Sequence, residues 1–139
     1  MHSLSDDEII EILRPPRTIA VVGISDNPER DSHSVAKYLQ DQYYRVIPVN
    51  PMLQRVLNRP CYPSLSDIPE RVDIVDIFRR SEAVPEIVDE AIAIGAKVVW
   101  MQLGVVNEAA AEKAEQAGLM AVMNRCIKVE HCRLLGGSR

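Results

Sequence analysis

The chain has 139 residues and a formal charge of −4, with acids and bases interspersed. That length fits one domain over 1–139 with a real hydrophobic core, and the charge gives no electrostatic basis for a nucleic-acid partner. No apolar run approaches a membrane span, and three cysteines, Cys61, Cys126 and Cys132, with no apolar leader, point to a soluble protein in a reducing, cytoplasmic setting.

Ser5 to Arg14 reads as a short packing helix, with Ser5 as its N-cap and Ile9, Ile12 and Leu13 on one face before Pro15 and Pro16 stop it. Thr18 to Ile24 is a strand apolar on both sides, as in the middle of a parallel sheet. It ends at Gly23 and Ser25. A polar loop, Asp26 to Asp31, then leads into a helix from about Ser32 to Tyr44. Arg45 to Val49 is the second strand, closed by Asn50 and Pro51. Met52 to Ser64 is expected to be a loop holding a short edge strand near Cys61, and Ser64 to Pro69 one helical turn. Asp73 to Phe78 is a strand, Ser81 or Glu82 to Ile94 a helix capped by Gly95, and Lys97 to Gln102 a strand. Asn107 to Gln116 is an Ala-rich helix closed by Gly118, and Leu119 to Met123 is the last strand. Gly136 to Arg139 reads as a loose end.

Strands alternating with helices at this rhythm give an α/β domain, a three-layer αβα doubly wound parallel sheet. Ligands of such sheets lie beyond the carboxyl ends of the strands. Those ends carry Gly23 to Ser25, Val49 to Pro51, Phe78 to Ser81, Gln102 to Gly104 and Asn124 to Cys126. The first of them is a strand, a tight turn and a helix N-terminus, a unit suited to phosphate.

A dinucleotide fingerprint needs three glycines and an acid at the end of the second strand. Ser25 and Pro28 stand at the second and third glycine positions, and Asn50 and Pro51 where the acid belongs, so NAD(P) is disfavoured. No Gly-Lys-Ser/Thr follows the strand, which excludes a Walker-type loop. What remains is an enlarged phosphate turn carrying Arg30, Ser32 and Ser34, faced by Arg79 and Arg80, whose guanidinium groups suit phosphate oxygens. Each has a plainer reading: Arg30 as a solvated loop residue, Ser32 as an ordinary N-cap, and the arginine pair as solvated beside Glu82 and Glu86.

The blocks VVGIS with a later P-x-R-x-S, then VIPVNP, DIVDIFRRSE, AIAIGAKVVWMQLGV and NRCIKVEHCRL resemble the small bacterial and archaeal CoA-binding proteins. Their domain is Rossmann-like and similar to the CoA-binding domain of the succinyl-CoA synthetase alpha subunit. The resemblance runs from about Ile9 to Leu135. It implies that Gly23, Ile24 and Ser25 line a pyrophosphate turn together with Arg30 and Ser32. It implies further that Val49, Asn50 and Pro51 flank the adenosine, that Phe78, Arg79 and Arg80 face them, and that Gln102 to Gly104 lie toward the pantetheine arm. The implied ligand is CoA or acyl-CoA. The synthetase's phosphorylated histidine belongs to a further domain, and the position before Arg125, commonly Asp in the family, is Asn124.

Chemistry beyond binding has little support in the residues. His33 lies near the phosphate loop, the wrong end of CoA for a general base, and reads as a loop histidine; His2 and His131 fit no partnered arrangement. Cys126, His131 and Cys132 lack the ligand pairs of a metal site. Cys126 follows the last strand, where its sulfur could meet the CoA thiol and form a mixed disulfide under oxidising conditions; its plain reading is a buried, inert cysteine. Trp100 and Met101 read as core. The expected function is a CoA or acyl-CoA binding protein (carrier, sensor or partner module) without ligase chemistry. The alternatives are an enzyme acting on a CoA thioester and an NAD(P)-binding domain. Homo-oligomerisation and an unknown protein partner are both left open.

Overall fold

The structure, a computed structural model, describes residues 4–136. His2 and residues 137–139 of the expected loose end lie outside them, while Gly136 closes a π-helical turn. α1 (Asp6–Leu13) starts with a reciprocal cap: Ser5 Oγ accepts the Glu8 N–H at 3.2 Å, and Glu8 Oε1 accepts the Ser5 N–H at 2.8 Å. Two amide donors left over at a helix start are thereby satisfied.

β1 (Thr18–Val22) is followed by α2 (Asp31–Asp41) and β2 (Arg45–Val49). A hairpin that the sequence reading did not anticipate comes next, β3 (Arg55–Val56) against β4 (Arg59–Pro60). Its turn places Leu57 at φ 53° and Asn58 at φ 64°. Two successive left-handed residues are what a two-residue hairpin demands, but without glycine the sequence hides the signal. The expected edge strand near Cys61 is reduced to one bridge, Tyr62 to Val49, and the turn after Ser64 is a 3-10 turn, Leu65–Asp67.

β5 (Ile74–Ile77), a 3-10 turn (Ser81–Ala83), α3 (Val84–Ala93), β6 (Val98–Met101), α4 (Glu108–Gln116) and β7 (Met120–Val122) complete the alternation. The sheet has the order β2-β1-β5-β6-β7, and every neighbouring pair is parallel. Strand side chains alternate between two cores. Ala20, Val22, Ile47, Val75, Ile77, Val99 and Met101 pack against α3 and α4. Ile19, Val21, Val46, Ile74, Val98 and Trp100 pack against α1, α2 and a further helix, α5 (Ile127–His131). The expected three-layer doubly wound sheet is therefore the observed one.

α5 and the π-helical turn after it, Cys132–Gly136, are additions to the sequence reading. Two of the three residues that α5 buries are polar, Glu130 and His131, so no apolar period marks it. Glu130 accepts from Arg125 Nη1 at 3.2 Å and Arg133 Nη2 at 2.8 Å, and Arg133 reaches Asp6 at 2.9 and 3.1 Å, tying the turn to α1. His131 has a partner after all. Its Nδ1 lies 2.6 Å from the Tyr38 hydroxyl, which also accepts from Cys132 Sγ at 3.1 Å. Burial lowers the His131 pKa and favours the neutral ring.

One buried group stands apart. Asp76, in the middle of β5, is fully buried on the α2 and α5 side, and neither carboxylate oxygen has a hydrogen-bond partner among the described residues. Desolvation pushes its pKa well above the usual carboxylate range.

Candidate functional site

β1 connects to β2 on one side, and the chain then crosses back to β5 on the other, so the connection reverses between β1 and β5. The crevice opens there, beyond Val22 and Ile77. Gly23 turns the chain at φ +88° and donates its N–H to the Val49 carbonyl at 2.9 Å. A Cβ at this position would collide with the Phe78 carbonyl oxygen and stand 2.8 Å from Arg79 Cδ. Glycine is required twice over, by the left-handed backbone and by the approach of β5.

The loop after Gly23 is held by its own polar groups. Ser25 N–H donates to Ser32 Oγ at 2.9 Å, Ser25 Oγ accepts the Asn27 N–H, and Asn27 Oδ1 accepts the Glu29 N–H, both at 3.0 Å. Ser32 is buried inside α2, so its hydroxyl shapes the loop from within. Arg30 occupies the N-cap position without making a side-chain cap. The N–H groups of Ile24, Asp31 and Ser32 keep no hydrogen-bond partner among the described residues, as expected for a turn and a first helical turn that face outward.

Two clefts meet at Gly23. One, of about 390 Å³, is lined by Gly23, Ser25, Glu29, Arg30, Asp31, Ser32 and Phe78. The other, of about 170 Å³, has Gly23, Val49, Pro51, Ser64, Leu65, Arg79, Glu86, Ile87 and Glu90 among its walls. Arg30 and Arg79 thus stand on opposite sides of one glycine turn. Both are exposed, and neither is paired with a carboxylate among the described residues.

The remaining candidates are placed differently. Arg80 is exposed and lines neither cleft; it precedes the 3-10 turn. The Ile24 side chain is fully buried, leaving only its backbone at the turn. Asn50 clasps two loops, its Nδ2 donating to the Ile24 carbonyl and its Oδ1 accepting the Met52 N–H, both at 2.8 Å. Gln102 is buried, and its Oε1 accepts the Ile127 N–H at 3.0 Å, which fixes the start of α5. Gly104 lies on an exposed loop and donates its N–H to Asn124 Oδ1 at 2.7 Å. Cys126 is half-buried at the N-cap of α5, against the α1, α2 and α5 core. Trp100 is fully buried, its indole N–H donating to the Arg125 carbonyl at 2.7 Å. Among the described residues no three His, Cys, Asp or Glu side chains converge as metal ligands.

A profile of the family described as a CoA binding domain matches residues 17–132. The chain belongs to this CoA-binding domain family. It is similar to the protein YneT of Bacillus subtilis, 44% identical over 131 residues, which span 94% of this chain and 97% of that protein. Its fold matches a hypothetical protein from Pyrococcus horikoshii, with a TM-score of 0.93, 47% identity and 98% of both chains covered. It is also 30% identical over 128 residues to an ADP-forming acetate–CoA ligase of Archaeoglobus fulgidus, covering 85% of this chain but only 19% of the ligase.

Within this CoA-binding domain, Ser64, Leu65, Glu86, Ile87 and Glu90 are cleft residues that sequence reasoning missed. Glu86 and Glu90 are one helical turn apart and share a face with Ile87, a spacing that was readable. Glu90 accepts the Leu65 N–H at 3.2 Å, joining α3 to the 3-10 turn. That cross-chain contact left no signal in the sequence.

Proposed function

We propose that the chain binds CoA or acyl-CoA in the crevice at Gly23, as a carrier, sensor or partner module without ligase chemistry of its own. The observation that carries this reading is the glycine turn with unpaired Arg30 on one side and unpaired Arg79 on the other. Phosphate oxygens are strong acceptors, and guanidinium groups together with free backbone N–H groups are their complement. Ile24, Asp31 and Ser32 supply the N–H groups, and Phe78 supplies an apolar wall. Asn50 already spends its amide on Ile24 and Met52, which supports CoA over a dinucleotide whose ribose would need that position.

Isothermal titration of the purified protein with CoA tests this directly. Saturable 1:1 binding that excess NADP does not displace is expected. Displacement of CoA by equimolar NADP would replace the reading with a dinucleotide site, and absence of CoA binding would end it. The Cys126 mixed disulfide is checked by mass spectrometry after incubation with CoA disulfide, where an adduct on another cysteine or on none removes that idea.

A further inference from the structure

The carboxyl end of the sheet carries, beyond the two clefts at Gly23, two exposed features that phosphate binding does not use. The loop after β6 is pinned at two points. Gly104 N–H donates to Asn124 Oδ1 at 2.7 Å, and Val106 N–H donates to Ser81 Oγ at 3.0 Å. Val105 is buried between them and anchors the loop in the core, while Leu103 is held outward at 71% exposure. A leucine on a mobile loop would mean little; this one is fixed in place by its neighbours' hydrogen bonds.

Asn124 supplies the second feature. It sits after β7 at φ 63°, a conformation asparagine tolerates. Its Oδ1 is committed to Gly104, and its Nδ2 has no hydrogen-bond partner among the described residues. An aspartate here would pin the loop equally well. What the amide adds is an unengaged N–H donor, one residue from Leu103 across the Gly104 hydrogen bond.

An alkyl surface beside a lone amide donor complements an alkyl chain beside a carbonyl oxygen, which is the chemistry of a thioester. The position suits it: β6 lies two strands from β1, about 10 Å at the usual strand spacing and within the span of a pantetheine arm leaving the Gly23 turn. We propose that Leu103 and Asn124 recognise the acyl end of an acyl-CoA. The Asn124 amide donates to the thioester carbonyl and Leu103 covers a short aliphatic acyl group, so the crevice prefers an acyl-CoA to free CoA. This rests on the proposed CoA site.

The experiment compares affinities for 3′,5′-ADP, CoA and butyryl-CoA in the wild type, Asn124→Asp and Leu103→Ser. Asn124→Asp keeps the acceptor for Gly104 and exchanges the N–H donor for an anionic oxygen that repels a thioester carbonyl, with 3′,5′-ADP as the control for the added charge; Leu103→Ser alters an exposed side chain. The wild type is expected to bind butyryl-CoA at least about fivefold more tightly than CoA, the scale of partly burying two or three methylenes. Both variants bring that ratio close to one while leaving 3′,5′-ADP affinity unchanged. Equal wild-type affinities, or a ratio retained in either variant, overturn the assignment while leaving the CoA site standing. Failure to bind any of the three ligands overturns both.

Discussion

The two ends of the sheet make an instructive pair. The amino end has a cleft of about 340 Å³ lined by Glu8, Glu11, Ile12, Arg17, Asp73, Ile74, Lys97, Val98 and Met120. It is twice the volume of the Arg79 cleft at the carboxyl end and has five charged residues in its walls against three. Yet Arg17 donates to the carbonyls of Ile12, Pro16 and Glu11, and Asp73 accepts the Thr18 N–H at 2.8 Å. Those charges close the ends of the fold's own elements. At the carboxyl end Arg30 and Arg79 have no such work, and backbone donors stay open around a left-handed glycine. Cleft size does not distinguish the two ends; unpaired guanidinium groups beside open backbone donors do.

The comparison breaks first at Gly23. Gly23→Ala puts a methyl into the Phe78 carbonyl and forces a left-handed backbone on alanine, and CoA affinity is expected to fall by at least about a hundredfold. Calorimetry measures this, and circular dichroism establishes that the variant is folded. An affinity within threefold of wild type would show that the turn is not the site. Arg30→Ala and Arg79→Ala are each expected to weaken CoA by more than about tenfold, the scale of a lost charge-assisted hydrogen bond. Equal losses from Lys97→Ala at the amino end would erase the distinction between the ends.

Asp76 sharpens the contrast by separating folding from binding. Its folded-state pKa is raised, so above the unfolded value of about 3.9 the native state holds the proton longer than the unfolded state does. Stability from this group is full below that pH and falls as pH rises toward the folded pKa, by up to about 1.4 kcal/mol per unit. Asp76→Asn is expected to flatten that slope in urea unfolding series between pH 4 and 8. Identical slopes in the two proteins would mean the carboxyl finds a partner in solution. The smallest effect is expected from Lys97→Ala, whose CoA affinity stays within about twofold of wild type, since an exposed charge at the opposite end is largely screened.

Much of this was legible in the residues. Apolar β-branched runs, glycine stops and Ser5 as an N-cap give the layered sheet, and Gly23, Arg30 and Arg79, marked out by type and place, all line the clefts at the β1 turn. Other roles depend on contacts between distant segments. Ile24, Asn50, Gln102 and Ser32 all follow strand ends or open a helix, yet their side chains serve the fold. Ile24 fills the core, Asn50 clasps the β1 turn, Gln102 holds α5 and Ser32 holds Ser25. α5 escaped because it buries Glu130 and His131: the arginines beside Glu130, Arg125 and Arg133, read as surface charge, and the Tyr38 partner of His131 lies on α2. The β3–β4 hairpin escaped because Leu57 occupies a position where glycine or asparagine is expected.

Amide chemical-shift mapping during a CoA titration tests the central claim most directly, since it reads both ends of the sheet at once. The account predicts saturable shifts centred on Gly23, Ile24, Ser25, Asp31, Ser32 and Arg79, with Glu8, Glu11, Asp73 and Lys97 unmoved. Shifts centred on the amino-end residues, or none at saturating CoA, would contradict it.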